Sequence, residues 1–467
     1  MKKVPVLLVL IIVTGIATAK RGSPVKASFA TPFFAPPYSD TTRETLQQAQ
    51  AIPGVTETTV ANGWANNSIN VVVFRKNSLV THNNWQYIAF YDQDRYVVLG
   101  KRKQGASTWE LKRTAYQGNT SDAHNCISLM VDGAGYLHLA WDHHNNPLRY
   151  CRSVQPGSLE LTDKLPMNGD LEQRVSYPEF HKLPNGNLIF LYRDGQSGQG
   201  NLVIKRYDLR TKTWATLHNN LIDGENARSA YWQACVDAKG TMHISWVWRE
   251  TPDVASNHDL CYARSTDGGI TWQKSTGEQY QLPITASSAE YACRIPQKSE
   301  LINQTSMFAD ATGKPYIASY WREPGSEVPQ YHLVYLDGAQ WHIDNLAFRK
   351  TGFSLSGGGT KRIPISRPQI MVKTVGKKTG AIVVFRDAER DSKVSIAVKD
   401  DLKTGSWQIS DLTTASVGSW EPTYDTEYWK QKQVLQLMVQ QVEQLDAEGK
   451  ANIPPQMVRV LEWRPKR

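Results

Sequence analysis

Residues 122–150, DAHNCISLMVDGAGYLHLAWDHHNNPLRY, read as two short strands and the turn between them. Apolar residues alternate through Ile127–Val131 and again through Leu137–Trp141. Asp132-Gly133-Ala134-Gly135 supplies the turn. A histidine precedes the first strand, His124, and a pair follows the second, His143 and His144. The outer ends of an antiparallel hairpin are neighbours, so all three are predicted on one rim of one sheet.

The same unit recurs along the chain. Its second strand ends in an aromatic residue followed by Asp or Arg: Tyr91-Asp92, Trp141-Asp142, Tyr192-Arg193, Trp248-Arg249, Trp321-Arg322 and Phe385-Arg386. The spacing is roughly fifty to seventy residues, the scale of a four-stranded propeller blade. Glycine turns precede most of these strands, and a Trp often marks the outer one: Trp109, Trp214, Trp272, Trp341 and Trp407. Six units span 70–414. A seventh, Trp420 to Trp463, offers about three strands, and a strand at 56–61 is predicted to complete it, which removes a free sheet edge. The expectation is an all-β, seven-bladed β-propeller of four-stranded antiparallel blades. Residues 265–272, STDGGITW, form a strand-turn-strand clip in which Asp267 is placed to accept turn amides. A pair of β-sandwiches would explain the alternation but not the repeating strand ends.

The chain has 467 residues, a net charge of +9 and a pI near 9.1. Its basic residues are scattered, which argues against a nucleic-acid tail and favours an acidic polysaccharide as partner. Lys2-Lys3, an apolar run over 4–16 and Ala17-Thr18-Ala19 form a leader, so 1–19 is assigned as a signal peptide. A polar arm follows at 20–54, and the catalytic propeller occupies 55–467. No later stretch is apolar enough to span a bilayer. A secreted or periplasmic bacterial protein is expected, acting as a monomer with no membrane partner. The five cysteines form no disulfide framework, and Cys126 and Cys151 read as buried thiols.

The candidate chemistry sits on one predicted face. Tyr177 opens the first strand of the blade after the histidine hairpin, and Arg193 ends that blade's second strand. Together with His124 and His144 this gives two imidazoles, a phenol and a guanidinium, with no pair of carboxylates. Ordinary glycoside hydrolysis uses two carboxylates. The set suits β-elimination from a uronic acid instead. A guanidinium and an imidazole neutralise the carboxylate, a base removes the C5 proton, and an acid protonates the departing oxygen at C4. A tyrosine beside a guanidinium can be partly deprotonated and serve as base, acid or both. His143, the strand neighbour of His144, is expected to point away by alternation, and is carried only as a substrate-binding candidate.

DAHN, WDHHNNPLRY, SYPEF, FLYRDG and NHDLCYARSTDGGITW together resemble the BNR-repeat propeller family of ulvan lyases and L-rhamnose–D-glucuronate lyases. The resemblance implies a seven-bladed propeller that splits the bond from L-rhamnose to O4 of D-glucuronate by elimination. It assigns His124, His144, Tyr177 and Arg193 to the lyase site and Tyr231 to substrate binding. A related branch resembles α-L-rhamnosidases that use one histidine on the opposite face, and His82 fits that position. Hydrolysis through His82 is therefore the rival reading, and a non-catalytic glycan-binding propeller is the second. No cofactor is required for the chemistry. His258 with Cys261, Cys235 and Cys293 is a candidate structural metal set, although His258 and Cys261 lie three apart on a predicted strand and so face opposite ways.

Overall fold

Adjacent blades press on both faces of an inner strand, and the burial along the chain follows from that. Ile127–Val131, Leu137–Trp141 and Leu188–Asp194 are buried at every position. The outer strand Glu110–Gln117 has solvent on one side and alternates between exposed and half-buried. Seven antiparallel sheets make the ring of blades. The computed structural model describes residues 53–73, 77–303 and 306–465. The signal peptide read at 1–19 lies outside the described residues, as does the arm at 20–54 apart from its last two residues.

Blade 1 runs from Leu79–His82 to Glu110–Gln117, and blade 2 holds Ile127–Val131, Leu137–Trp141 and Tyr150–Arg152. The fourth strand of blade 2 is reduced to a bridge between Ser153 and Leu161. Blade 3 carries an extra inner strand, His144–Asn146, paired with Val175–Lys182. Blades 4, 5 and 6 start at Ser229–Val236, Ser306–Ala309 and Gln369–Val375. In blade 7, Leu435–Val439 and Gln456–Trp463 are followed outward by Val55–Gly63, which pairs Thr56 with Glu462 and Ala61 with Val458. The inner edge of this blade is the bridge from Tyr424 to Leu437. The strand expected at 56–61 thus closes the ring from the other end of the chain. Ahead of the Leu435–Val439 strand, Thr426–Lys432 is helical and Gln433 turns at φ 51°.

One turn recurs in three blades. Asp132 Oδ1 accepts from the amides of Ala134 and Tyr136, Asp237 Oδ1 from Lys239 and Thr241, and Asp310 Oδ1 from Thr312 and Lys314. The second oxygen meets a side chain six residues on: His138 at 3.2 Å, His243 at 3.4 Å or the Tyr316 hydroxyl at 3.0 Å. Gly135, Gly240 and Gly313 hold φ near +90° in these turns, which a side chain tolerates poorly. The clip at 265–272 is also as read. Asp267 accepts from the amides of Ile270 and Thr271, and Trp272 is fully buried.

Candidate active site

At the end of blade 2 opposite its turn, Asp122 sits two residues before His124, and its Oδ1 accepts from the His124 amide at 2.9 Å. That local turn leaves the carboxylate facing both imidazoles. One oxygen lies 2.6 Å from His124 Nδ1 and the other 2.5 Å from His144 Nδ1. The rings stack, with centroids 4.1 Å apart and planes 16° from parallel. Beyond the second strand, Asp142 and Asn145 adopt left-handed φ of 64° and 61°. These turns carry His144 onto the inner edge of blade 3, where it pairs with Ser176.

Blade 3 then bends. A bulge between Ser176 and Glu179 places Tyr177 at φ 56°, and its ring meets His124 edge-on with centroids 5.8 Å apart. Arg193 pairs with Ser176 across the hairpin and lays its guanidinium 4.9 Å from the centre of the Tyr177 ring. Its Nη1 reaches the Tyr231 hydroxyl at 3.3 Å, and its Nε donates to the Gly195 carbonyl. Arg249, the blade 4 counterpart of Arg193, lies 5.5 Å from the Tyr231 ring centre. His124, His144, Tyr177, Arg193 and Tyr231 thus line one cavity of about 330 Å3. Arg249, Thr360, Lys361 and Arg367 complete much of its wall. Among the described residues no aspartate or glutamate lines it.

The electrostatics split the two histidines. Burial opposes a charge on His124, but hydrogen bonds and charges from Asp122 and Glu448 outweigh it and raise its pKa to about 9. His144 moves down. Burial lowers it, and the cationic His124 and Arg193 add to that, against the hydrogen bond from Asp122. At neutral pH the pair is one imidazolium beside one neutral imidazole. Burial of Asp122 is overcome by its two histidine contacts, which hold it far below the usual carboxylate range.

The two phenols also diverge, and here the structure corrects the sequence expectation. Burial raises Tyr177, the nearby Tyr231 adds to the rise, and Arg193 only partly offsets it. The guanidinium packs on the ring face of Tyr177, so Tyr177 stays protonated. Tyr231 is the phenol moved down: Arg193 and Arg249 together outweigh its burial.

His143 points away from the cavity, as alternation predicts, and so drops out as a substrate-binding candidate. It is fully buried, its Nε2 accepts from the Arg149 amide at 2.7 Å, and burial together with Arg149 lowers its pKa to about 3. It braces the loop that carries His144 and does not line the cavity. His82 lies at the turn end of the first hairpin of blade 1, beside the Gly135 turn of blade 2. That is the end of the blades away from His124. It shares a groove with Lys182, Glu427 and Lys430. The set His258, Cys261, Cys235 and Cys293 does not gather. His258 lies between Glu250 at 2.8 Å and Asp259 at 3.1 Å, and Cys261 is buried within its sheet. Among the described residues, Asp122, His124 and His144 alone bring three ligand-type atoms within 4.8 Å. Each imidazole there already hydrogen-bonds its own carboxylate oxygen, so the trio reads as a proton-holding network.

Sequence reasoning missed Asp122, although it opens the DAHN motif, and missed Arg249, although it stands in the same repeat position as Arg193. Glu448, from blade 7, had no local signal at all.

The pattern that defines BNR repeat-containing family members matches residues 85–349. The chain belongs to this family. Among curated proteins, it is 23% identical over 286 residues to the long isoform of ulvan lyase from Pseudoalteromonas sp. (strain PLSV). That match covers 48% of this chain and 28% of the relative. The long isoform of ulvan lyase from Alteromonas sp. (strain LOR) is 25% identical over 229 residues, covering 38% and 23%. The chain therefore spans only about a quarter of the length of these relatives. Among solved structures, the polysaccharide lyase Uly1 superposes with a TM-score of 0.61 at 15% identity, over 89% of this chain and 94% of that one. An ulvan lyase of the PL25 family, solved with glucuronate-(1-4)-linked 3-sulfated rhamnose bound, gives 0.58 at 13% identity, over 87% and 95%. At these identities the likeness is one of fold.

Proposed function

We propose that this BNR-repeat propeller is a secreted or periplasmic polysaccharide lyase. It cleaves the L-rhamnose-α-1,4-D-glucuronate linkage by β-elimination across C4–O4 of the glucuronate, in an acidic glycan of the ulvan or gum arabic type. Its single catalytic domain is 55–467, it acts as a monomer, and it needs no cofactor. The observation that carries this reading is the unequal histidine pair on Asp122, facing a cavity whose lining, among the described residues, holds cations and no carboxylate. The ulvan lyase relatives support the reaction class. Export rests on the leader read at 1–19. Among the described residues no helix is long and apolar enough to cross a membrane.

In this reading Arg193 and the cationic His124 bind the uronate carboxylate and take up the charge that develops on it. Neutral His144 removes the C5 proton. The electron pair forms the C4=C5 double bond as the C4–O bond breaks. Tyr177, held protonated, gives its proton to the oxygen that leaves with rhamnose. Tyr231, drawn toward phenolate by two guanidiniums, keeps both in register at the carboxylate.

The test is incubation with ulvan and with gum arabic, following near-ultraviolet absorbance of an unsaturated uronate and free rhamnose together. Absorbance rising with chain cleavage is expected. Rhamnose released beside saturated glucuronate would mean hydrolysis, the outcome in which the His82 groove is the working site. An intact glycan that stays bound would mean a lectin.

A further inference from the structure

The loop 446–449 of blade 7 reaches back across the ring to the histidine pair of blade 2. It does so on a strained backbone: Ala447 and Glu448 both adopt left-handed φ, 54° and 62°, without being glycine. Such conformations persist only where the surroundings over-determine them. The surroundings here are specific. The Glu448 carboxylate accepts from the Thr360 amide at 2.8 Å, from the Thr360 hydroxyl at 2.8 and 3.0 Å, and from the Ala123 amide at 3.3 Å. It also lies 3.4 Å from His124 Nδ1. Beside it, the Ala447 amide donates to the Thr360 carbonyl, and Asp446 accepts from the Arg362 amide. Gly359 permits this docking, since a side chain there would begin 3.1 Å from the Ala447 Cα. The same 356–361 segment is tied to blade 4, where the Gly357 amide donates to Asp253 at 2.7 Å. Thr360 and Lys361 of that segment line the cavity.

We propose that Glu448 is a positioning residue for this site: from the last blade it fixes the 356–361 wall and supplies His124 with a second carboxylate beside Asp122. Its role in turnover rests on the elimination reading; its effect on His124 does not. Among the described residues, the groups that face His124 include Asp122 on its own loop, His144 stacked on it, Tyr177 and Tyr231 from blades 3 and 4, Thr360 from the wall, and Glu448. Only Asp122 and Glu448 among these are anionic carboxylates. Glu448 itself is held below its usual range by its contact with His124, against the effect of burial. Without Glu448, one carboxylate would have to serve both imidazoles. His124 would then lose its proton at lower pH. The site made by blades 2 to 4 is thus completed only when blade 7 is in place.

The test uses the full chain with histidine-selective isotope labelling. The imidazole resonances are followed by NMR through pH 5 to 10, and the His124 signal is identified by its absence in His124→Gln. Glu448→Gln keeps an oxygen for Thr360 and removes the charge. The His124 midpoint is expected to fall by about one pH unit or more. The alkaline limb of kcat/KM on the cleaved glycan should move acidward by the same amount, with the melting temperature little changed. A His124 midpoint in Glu448→Gln equal to that of the parent would overturn the proposal even if the lyase reading stands. A shifted midpoint in a protein that cleaves neither ulvan nor gum arabic would support the positioning role and retire the lyase reading. Should Glu448→Gln fail to fold, Glu448→Asp draws the carboxylate back by one carbon. A smaller downward shift is then expected, and an unmoved midpoint overturns the proposal.

Discussion

Tyr177 holds a left-handed backbone at φ 56°, immediately before Pro178, in the middle of an inner strand. A bulky residue there costs on the order of 1–3 kcal/mol, which the surrounding blade must offset. The gain is the direction of its ring, which the bulge aims at both histidines. Tyr177→Phe keeps the ring, its packing on Arg193 and the bulge, and removes only the phenolic oxygen. It should lower kcat by about a hundred- to ten-thousand-fold with KM and melting temperature nearly unchanged. A fall confined to KM would remove Tyr177 from proton transfer. Arg193→Ala should behave differently, raising KM as well as lowering kcat, because in the proposed reaction the guanidinium also holds the ground-state carboxylate.

The two histidines set a pH window of definite sign. In the proposed elimination His144 must be neutral to act as base, and its pKa lies below the ordinary 6.5. His124 must be charged, and its pKa lies at about 9. The kcat/KM profile should therefore rise to a plateau at an acid limb below 6.5 and fall at an alkaline limb near 9. The same residue links pH to stability. Because the folded pKa of His124 is raised, its contribution is complete below about pH 6.5 and is lost as pH rises through 9. A profile with its alkaline limb near 7 would show that His124 is not the cation required.

At the scale of the element, the repeated Asp–Gly–His/Tyr turn does the structural work that the aromatic strand ends only announce. Asp132 is fully buried, accepts two turn amides and reaches His138. His138 Nδ1 in turn meets the Tyr150 hydroxyl at 2.7 Å on the third strand. One side chain therefore closes a turn and, through an imidazole, ties it to the next strand. Asp132→Ala should cost about 2–4 kcal/mol in denaturant unfolding, because it leaves buried donors without an acceptor. Asp132→Asn, which keeps an acceptor for the turn amides, should cost less. Since this turn lies at the end of the blade away from His124, activity per folded molecule should hold. The glycines of these turns were legible in the sequence. Asp132 was legible only as a turn residue, because an Asp near a Gly reads as any turn until its second oxygen is seen to meet a residue six positions on.

For the whole molecule, closure is the decisive feature. Val55–Gly63 covers Gln456–Trp463, which would otherwise present an open edge. Removing residues 1–63 should lower the melting temperature by several degrees and give aggregates on size-exclusion chromatography. A monodisperse truncated chain with unchanged melting would show the strand to be dispensable. The two ends of the ring also separate the two enzyme readings. His82 lies in a groove with Lys182 and Glu427, and burial and then Lys182 lower its pKa. His82→Ala should leave elimination largely intact. Loss of rhamnose release in that variant, with Tyr177→Phe silent, would place the chemistry in the other groove.

The sequence by itself determined the number of blades, the hairpin bounds of blade 2 and the closing strand, because those follow from a local period that survives at every repeat. It also placed His124, His144, Tyr177 and Arg193 at one end of their strands, since strand direction and pairing decide that without reference to distant residues. Which nitrogen is protonated, which phenol is drawn down and which charges surround them depends on the tertiary structure. Asp122 is shared between two histidines because a pair of left-handed residues carries His144 to the next blade. Tyr231 rather than Tyr177 is drawn toward phenolate because Arg193 Nη1 and the Ser197 hydroxyl from blade 3 reach its oxygen, with Arg249 of blade 4 beside its ring. Glu448 meets His124 across 324 positions of sequence (448 − 124) because closure of the ring lets a loop of the last blade reach the histidine end of blade 2. Proton affinities depend on burial and on charges a few ångströms away, and those distances exist only once the ring has closed.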